Sequence, residues 1–99
     1  MRLSERNRAI IRDTVHEVVG GEAEVHLFGS RTDDTGRGGD IDLLITSDTP
    51  VDERERKALR VVARLQRRLG DQPIDVLIVD PDTPLQPIHH EAMRTGVRL

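Results

Sequence analysis

The sequence contains no cysteine, no tryptophan and no tyrosine, and Phe28 is its single aromatic residue. The absence of cysteine excludes disulfide bonds, thiolate metal sites and a cysteine nucleophile, so nothing in the chain requires an oxidising compartment. Because aromatic side chains are missing apart from Phe28, the core must be built from leucine, isoleucine and valine.

The sequence also lacks a long apolar run and an excess of positive charge. No stretch is long enough to span a bilayer, and residues 1–20 lack the segments of a signal peptide, so we expect a cytoplasmic protein without membrane association. Fifteen Lys and Arg residues against eighteen Asp and Glu residues give a net charge of -3. An acidic chain gains little from counterion release, which argues against DNA binding as the main activity.

The length and the pattern indicate one small α/β domain. Ninety-nine residues, 35% of them hydrophobic, leave no room for a second core, so we expect residues 1–99 to form a single domain. Three helix-like and three strand-like segments alternate, which is typical of α/β layer folds. The core of such a short chain is modest, and this favours a stabilising partner.

Helical periodicity predicts two long amphipathic helices. The first begins after an N-cap at Ser4 and ends near Gly20. The second begins at Thr49, whose hydroxyl would cap a helix that starts with Pro50, and it ends at Gly70. We expect the second helix to bury Leu59, Val62, Leu65 and Leu69.

Period-two alternation predicts strands over residues 23–28, 40–46 and 74–79. The helix between the second and third strands has the length of a crossover that joins parallel strands. A short helix over residues 88–95 then leaves residues 97–99 as a terminal stub.

Three aspartates occupy positions that would bring carboxylates together. Asp40 and Asp42 are two residues apart in one strand, so their side chains share a face about 6.7 Å apart along the strand. Asp75 interrupts the apolar third strand, and we expect it to be buried there. Crowded carboxylates repel one another, whereas Mg²⁺ prefers oxygen ligands of this kind. The pattern favours shared metal ions at Asp40, Asp42 and Asp75.

A glycine–serine pair at the end of the first strand suggests a phosphate site. Gly29 would let backbone N–H groups approach a phosphate, and the hydroxyl of Ser30 could donate a further hydrogen bond. Arg31 and Arg37 lie in the same loop and could neutralise phosphate charge, although arginines in such loops are commonly solvated. The acid pair alone would fit a solvated strand face, but the joint order of these motifs favours a site.

The string Leu27-Phe-Gly-Ser-Arg31, followed by Gly39-Asp-Ile-Asp-Leu-Leu-Ile45, resembles the signature of the DNA polymerase β-like nucleotidyltransferase superfamily, specifically its minimal nucleotidyltransferases. The resemblance covers nearly the whole chain and implies a small mixed three-stranded sheet packed with helices. It implies ATP as substrate, with its phosphates at Gly29, Ser30 and Arg31. It also implies two Mg²⁺ ions held by the catalytic aspartates Asp40, Asp42 and Asp75.

Minimal nucleotidyltransferases of this size are similar to antitoxins that are paired with an all-helical HEPN ribonuclease toxin. The resemblance implies transfer of AMP from ATP to a toxin tyrosine, within a hetero-oligomer of the two proteins. Larger relatives add a helical domain that binds the acceptor, and this chain has none, so we expect the acceptor to be another molecule. The alternatives are an antitoxin that only masks its toxin, and transfer to a small molecule or an RNA end.

The histidines and the basic helix fit structural roles better than a site. His89 and His90 would point about 100° apart on a helix and lack the spacing of a zinc pair. His16 and His26 are isolated. The basic residues of the second helix are expected to form a solvated face, or otherwise to dock an acidic partner or an RNA. They are Arg54, Arg56, Lys57, Arg60, Arg64, Arg67 and Arg68.

Overall fold

The computed structural model describes residues 4–28 and 41–99. The elements in these ranges are α1 (Glu5–Val18), β1 (Glu24–Phe28), β2 (Ile41–Thr46), α2 (Arg54–Leu69), β3 (Ile74–Val79), α3 (Pro87–Thr95) and β4 (Val97–Arg98). The strands form one sheet in the order β3-β2-β1-β4. β2 and β3 are parallel, whereas β1 is antiparallel to both β2 and β4. The expected α/β fold with a mixed sheet is confirmed, with four strands in place of three.

The fourth strand is formed by the segment that the sequence predicts to be a stub. Arg98 pairs with His26, and the N–H of Leu99 donates to the carbonyl of Val25 at 3.0 Å. The turn into β4 needs Gly96, because an added Cβ there would lie 2.6 Å from the carbonyl oxygen of Ala92. Two residues are too few to show alternation, so the sequence carries no strand signal here.

The main core lies between one face of the sheet and the helices α1 and α2. Its buried side chains come from alternate strand positions and from one side of each helix: Ile11, Val15, Ala23, Val25, Leu27, Ile41, Leu43, Ile45, Val61, Leu65, Ile74 and Ile78. Among the described residues, α3 covers part of the opposite face, where it packs around Leu44 and Val79. Within the described ranges, no helix combines the length and the apolarity that crossing a membrane demands.

The predicted start of α1 is confirmed, and the predicted start of α2 is wrong. The hydroxyl of Ser4 accepts a hydrogen bond from the N–H of Asn7 at 3.1 Å and caps α1. α2 begins at Arg54 instead of near Thr49. The hydroxyl of Ser47 donates to the carbonyl of Thr49 at 2.7 Å and accepts from its N–H at 3.2 Å. These bonds place Thr49 in a local turn, and the residue at the N-cap of α2 is Glu53.

Asp80 joins the end of β3 to the segment before α2. Its carboxylate is only 1% exposed and accepts hydrogen bonds from the N–H of Val51 at 2.7 Å and from Arg54 at 2.9 Å. Thr83 and the N–H of Asp82 complete the set at 2.9 Å each. The hydrogen bond from Val51 lowers the pKa of Asp80 most; Thr83, Asp82 and Arg54 lower it further, and burial opposes them.

We expect Asp80→Asn to lower Tm at neutral pH. The pKa of Asp80 is lowered in the folded protein, so its stabilisation is complete above the unfolded pKa of about 3.9 and is lost as pH falls through the folded pKa. The difference in Tm between wild type and variant should therefore shrink below about pH 3.9. Thermal unfolding followed by circular dichroism between about pH 7 and about pH 2.5 measures it. A difference that stays constant over this range would contradict the assignment.

Two arginines of α2 bind α1 and are not simply solvated. Arg68 donates from Nη1 and Nη2 to the carboxylate of Glu17 at 2.7 and 2.9 Å, and from Nη1 to the hydroxyl of Thr14 at 2.7 Å. Arg64 reaches the same carboxylate at 3.3 Å. The hydrogen bond from Arg68 lowers the pKa of Glu17 and raises that of Arg68. Such a forked pair fixes the angle at which the two helices meet.

This packing rotates α2 away from the predicted burial of Leu59. Val61 and Leu65 are fully buried, whereas Leu59 is 70% exposed. Val62 and Leu69 are partly buried against the core, as their place in the predicted stripe suggests. Helical spacing alone does not specify, to better than one residue position, which side of α2 faces the core. The contacts of α2 with α1 and β3 determine that side.

Alanine substitutions at two leucines of α2 should therefore have unequal effects. Leu65→Ala removes a fully buried side chain and should lower the free energy of unfolding by about 2–5 kcal/mol. Leu59→Ala is the matched control and should change it by less than about 0.5 kcal/mol. Urea denaturation of both variants measures the two values, and equal losses would contradict this orientation of α2.

Candidate functional site

Asp42 and Asp75 lie side by side on the face of the sheet opposite the main core. The parallel pairing of β2 with β3 puts these two residues in register. Neighbouring strands are about 4.8 Å apart, so the two side chains are adjacent. Leu44 and Leu77 follow two positions later on each strand and pack with the cluster beneath α3, which identifies the face. The register thus brings together two of the three aspartates that the sequence singles out.

The two carboxylates differ in exposure. Asp42 is half-buried and Asp75 is exposed. The sequence predicts burial of Asp75 because its neighbours in the chain are apolar, and this prediction is wrong. β3 is the outer strand in the described sheet, and α3 packs further along the face, around Leu44 and Val79. Asp75 is therefore open to a molecule that approaches from outside.

Phe28, Asp42 and Asp75 lie side by side on three neighbouring strands and form a row across the sheet. Phe28 is paired with Asp42 in the antiparallel ladder of β1 and β2, and it packs against the cluster that contains Leu44. The only aromatic ring of the chain is thus next to Asp42, on the side away from Asp75. An aromatic ring at this position could stack on a nucleotide base.

Other residues that the sequence assigns to the site lie outside the described residues. They are Gly29, Ser30, Arg31, Arg37 and Asp40. Their roles in phosphate and metal binding stay predictions. In the sequence, Gly29 directly follows Phe28 and Asp40 directly precedes Ile41, so the predicted motifs are continuous with the two strands that end and begin there.

The chemistry of Asp42 and Asp75 suits a hard divalent cation. In residues 4–28 and 41–99, no three His, Asp or Glu side chains come together as a metal-binding group. Two adjacent carboxylates nevertheless offer oxygen ligands of the kind that Mg²⁺ prefers, and a cation would offset their mutual repulsion. The pair fits one part of a Mg²⁺ site, and the third predicted ligand, Asp40, is outside the described ranges.

His16 and His89 each contact a backbone group of a nearby residue. Nε2 of His16 is 3.2 Å from the carbonyl oxygen of Ala23. Nδ1 of His89 accepts a hydrogen bond from the N–H of Gln86 at 3.0 Å and so caps the start of α3. These contacts support the structural role that the sequence predicts for both residues.

A model of the nucleotidyltransferase domain family matches residues 8–94. The chain belongs to this family. The matched segment includes Asp42 and Asp75, and with them the whole of β1, β2 and β3. No curated protein matches the chain. Members of the nucleotidyltransferase domain family generally use a nucleoside triphosphate and a divalent metal. The divalent metal agrees with the adjacent carboxylates of Asp42 and Asp75.

We expect Mg²⁺ or Mn²⁺ to raise the Tm of the wild-type protein, because a ligand that binds only the folded state stabilises it. The double variant Asp42→Asn, Asp75→Asn should lose this shift, since amides are weaker ligands for hard cations. Asp71→Asn changes an exposed aspartate of the segment between α2 and β3, outside the pair, and is the matched control. Thermal unfolding with and without MgCl₂ measures the shifts. An equal shift in the double variant would argue against metal binding at this pair.

Proposed function

We propose that this nucleotidyltransferase transfers AMP from ATP to a hydroxyl group of a partner protein. The observation that supports this most is the in-register pair of Asp42 and Asp75 on an open face of the sheet. Asp75 is exposed at the outer strand, so a bulky acceptor can reach it. A protein acceptor brings its own contact surface and needs no enclosed pocket beside Asp75, unlike a small molecule.

In the proposed reaction the acceptor oxygen forms a bond to the α-phosphorus of ATP. The bond between the α-phosphorus and its bridging oxygen breaks, and pyrophosphate leaves. Asp75 is the more exposed aspartate, so it would face the acceptor and take the proton of its hydroxyl. Two Mg²⁺ ions bound at Asp40, Asp42 and Asp75 would lower the pKa of that hydroxyl and offset the charge of pyrophosphate. Gly29, Ser30 and Arg31 would bind the phosphates.

The acceptor in this proposal is a tyrosine of a HEPN-type toxin, and the protein is the antitoxin of that pair. The proposal rests on the resemblance to minimal nucleotidyltransferases and on the family match. A tyrosine hydroxyl has a pKa of about 10, so a nearby cation needs to lower it by only a few units. Both proteins would act in the cytoplasm, as the sequence predicts.

The test uses ATP labelled at the α-phosphate, with Mg²⁺, in lysate of the native host. The wild-type protein and the control Asp71→Asn should each label the same protein band on a denaturing gel. Asp42→Asn should leave that band at background, because it removes a carboxylate that would hold the metal. Mass spectrometry of the band identifies the modified residue. Equal labelling by Asp42→Asn, or no labelled protein despite detectable ATP binding, would overturn the proposal.

A second candidate is an antitoxin that masks its toxin by binding alone. The observation in its favour is a set of large apolar side chains that are about half exposed or more, since such side chains favour protein contacts. They are Leu59, Leu85, Ile88, Met93 and Val97. Coexpression with the protein encoded by the adjacent gene decides between the two. Neutralisation that survives Asp40→Asn, Asp42→Asn and Asp75→Asn combined would favour masking, and its loss would favour transfer.

A further inference from the structure

The outer edge of β3 carries backbone groups that no described strand pairs with. The carbonyl of Pro73 accepts from the N–H of Ile41, and that of Val79 accepts from Ser47, so these groups point toward β2. Backbone groups point alternately to the two edges of a strand. The N–H and C=O groups of Ile74, Val76 and Ile78 therefore point away from β2. β3 is the last strand of the described sheet on this side.

A groove follows this edge between β3 and α2. One part has a volume of about 440 Å³ and is lined on the α2 side by Glu55, Ala58, Leu59 and Val62. A second part, of about 200 Å³, continues along β3 to Ile78 and ends near Thr83 and His89. The four residues of α2 have the spacing of one helical face. The exposed Leu59 is thus part of the wall of a groove that runs the length of β3.

We propose that this edge binds the acceptor segment of the partner protein as an added antiparallel strand. This inference rests on the proposed function and specifies how the acceptor hydroxyl reaches the site. The outward groups of Ile74, Val76 and Ile78 would form the hydrogen-bonded pairs. Asp75 would then occupy a non-hydrogen-bonded position, where the opposite Cα is about 4.5 Å away. A tyrosine at that opposite position would extend over the open face beside Asp75 and Asp42.

The surroundings of the edge define the chemistry of the added segment. Residues on either side of the acceptor would point toward α2, where Ala58, Leu59 and Val62 favour apolar side chains. Glu55 and Asp75 also line the groove, and neither forms an ion pair with another described residue. Arg54 lines the second part of the groove, but its charge is paired with Asp80 at 2.9 Å. Their two negative charges favour basic side chains in the segment. The expected ligand is an extended segment with a tyrosine, alternating apolar residues and flanking arginines or lysines.

A second copy of the chain fits this edge less well. If two copies of β3 paired antiparallel through their outward groups, Asp75 of one copy would face either Asp75 or an apolar residue of the other. Facing carboxylates repel each other, and an apolar neighbour offers neither a charge partner nor a hydroxyl. The charge pattern of the edge thus favours a different protein as its partner.

The binding test uses a fluorescent synthetic peptide, Arg-Val-Thr-Val-Tyr-Val-Thr-Val-Arg, which has valines on one face and the central tyrosine on the other. Fluorescence anisotropy should show saturable binding to the wild-type protein. Val76→Pro removes an outward N–H and leaves the β2 ladder intact, and it should weaken binding at least about tenfold. The same peptide with its two central valines N-methylated lacks the N–H groups that would donate to Ile74 and Val76, and it should lose binding to a similar degree.

Arg98→Pro is the matched control at the opposite edge of the sheet. The N–H of Leu99 points toward β1, so that of Arg98 points away from it, and this variant should bind the peptide like the wild type. Leu59→Gln changes only the groove wall and should weaken binding several-fold, which keeps the test valid if Val76→Pro does not fold. Peptide binding that is unaffected by both Val76→Pro and Leu59→Gln would overturn the proposal, as would a wild-type protein that binds no peptide.

The labelling assay separates failure of this inference from failure of the proposed function. Val76→Pro should reduce labelling of the protein acceptor at least about tenfold while Mg²⁺ with ATP still raises its Tm. Full labelling by Val76→Pro would leave the proposed function standing and overturn docking at β3. Absence of labelling by the wild type would overturn the proposed function, and the peptide measurement would then decide the docking by itself. A wild-type dimer that Val76→Pro converts to a monomer with labelling unchanged would assign the edge to self-association instead.

Discussion

The parallel pairing of β2 with β3 is the constraint on which the candidate site depends. Asp42 and Asp75 are 33 positions apart in the sequence, and only this register makes them neighbours on one face. A shift by one residue would turn one carboxylate toward the core of isoleucine, leucine and valine. The apolar residues that alternate with the aspartates therefore hold the register, since their burial is lost with any such shift. The packing of the core and the geometry of the site are set by the same alternation.

The crossover helix α2 holds β3 in that position. Arg64 and Arg68 attach it to Glu17 of α1, and Asp80 attaches the segment before it to the end of β3. These contacts connect parts of the chain that are far apart in sequence. They also turn Leu59 outward, which leaves an apolar wall beside the outer edge of β3. The same arrangement that stabilises the core thus creates the groove next to Asp75.

In the part of the chain that the structure describes, the two aspartates lie on an open face of the sheet and not in an enclosed pocket. α3 covers the part of the face around Leu44 and Val79, where Phe28 also packs. Asp42 and Asp75 lie toward the end of the strands that no described helix covers. A site of this kind suits an acceptor that supplies its own contacts. Membership of the nucleotidyltransferase domain family and the paired carboxylates of Asp42 and Asp75 both favour metal-dependent nucleotidyl transfer. The outer edge of β3 suggests where an acceptor segment binds.

Much of the fold and part of the site follow from local patterns. Period-two alternation predicts β1, β2 and β3 and the shared face of Asp42 and Asp75. Ser4 and Gly70 mark helix ends, because capping depends on nearby residues. β4, the exposure of Asp75 and the orientation of Leu59 escape such patterns. Each depends on contacts between segments that are distant in sequence. The terminal residues form β4 because they pair with β1. Asp75 is exposed because β3 is the outer strand of the described sheet, and Leu59 faces outward because α2 packs against α1. The order of residues along the chain thus sets which positions alternate and which chemistry each carries. Which of these residues meet, and which face outward, depends on strand order and helix packing, because both arise from long-range contacts.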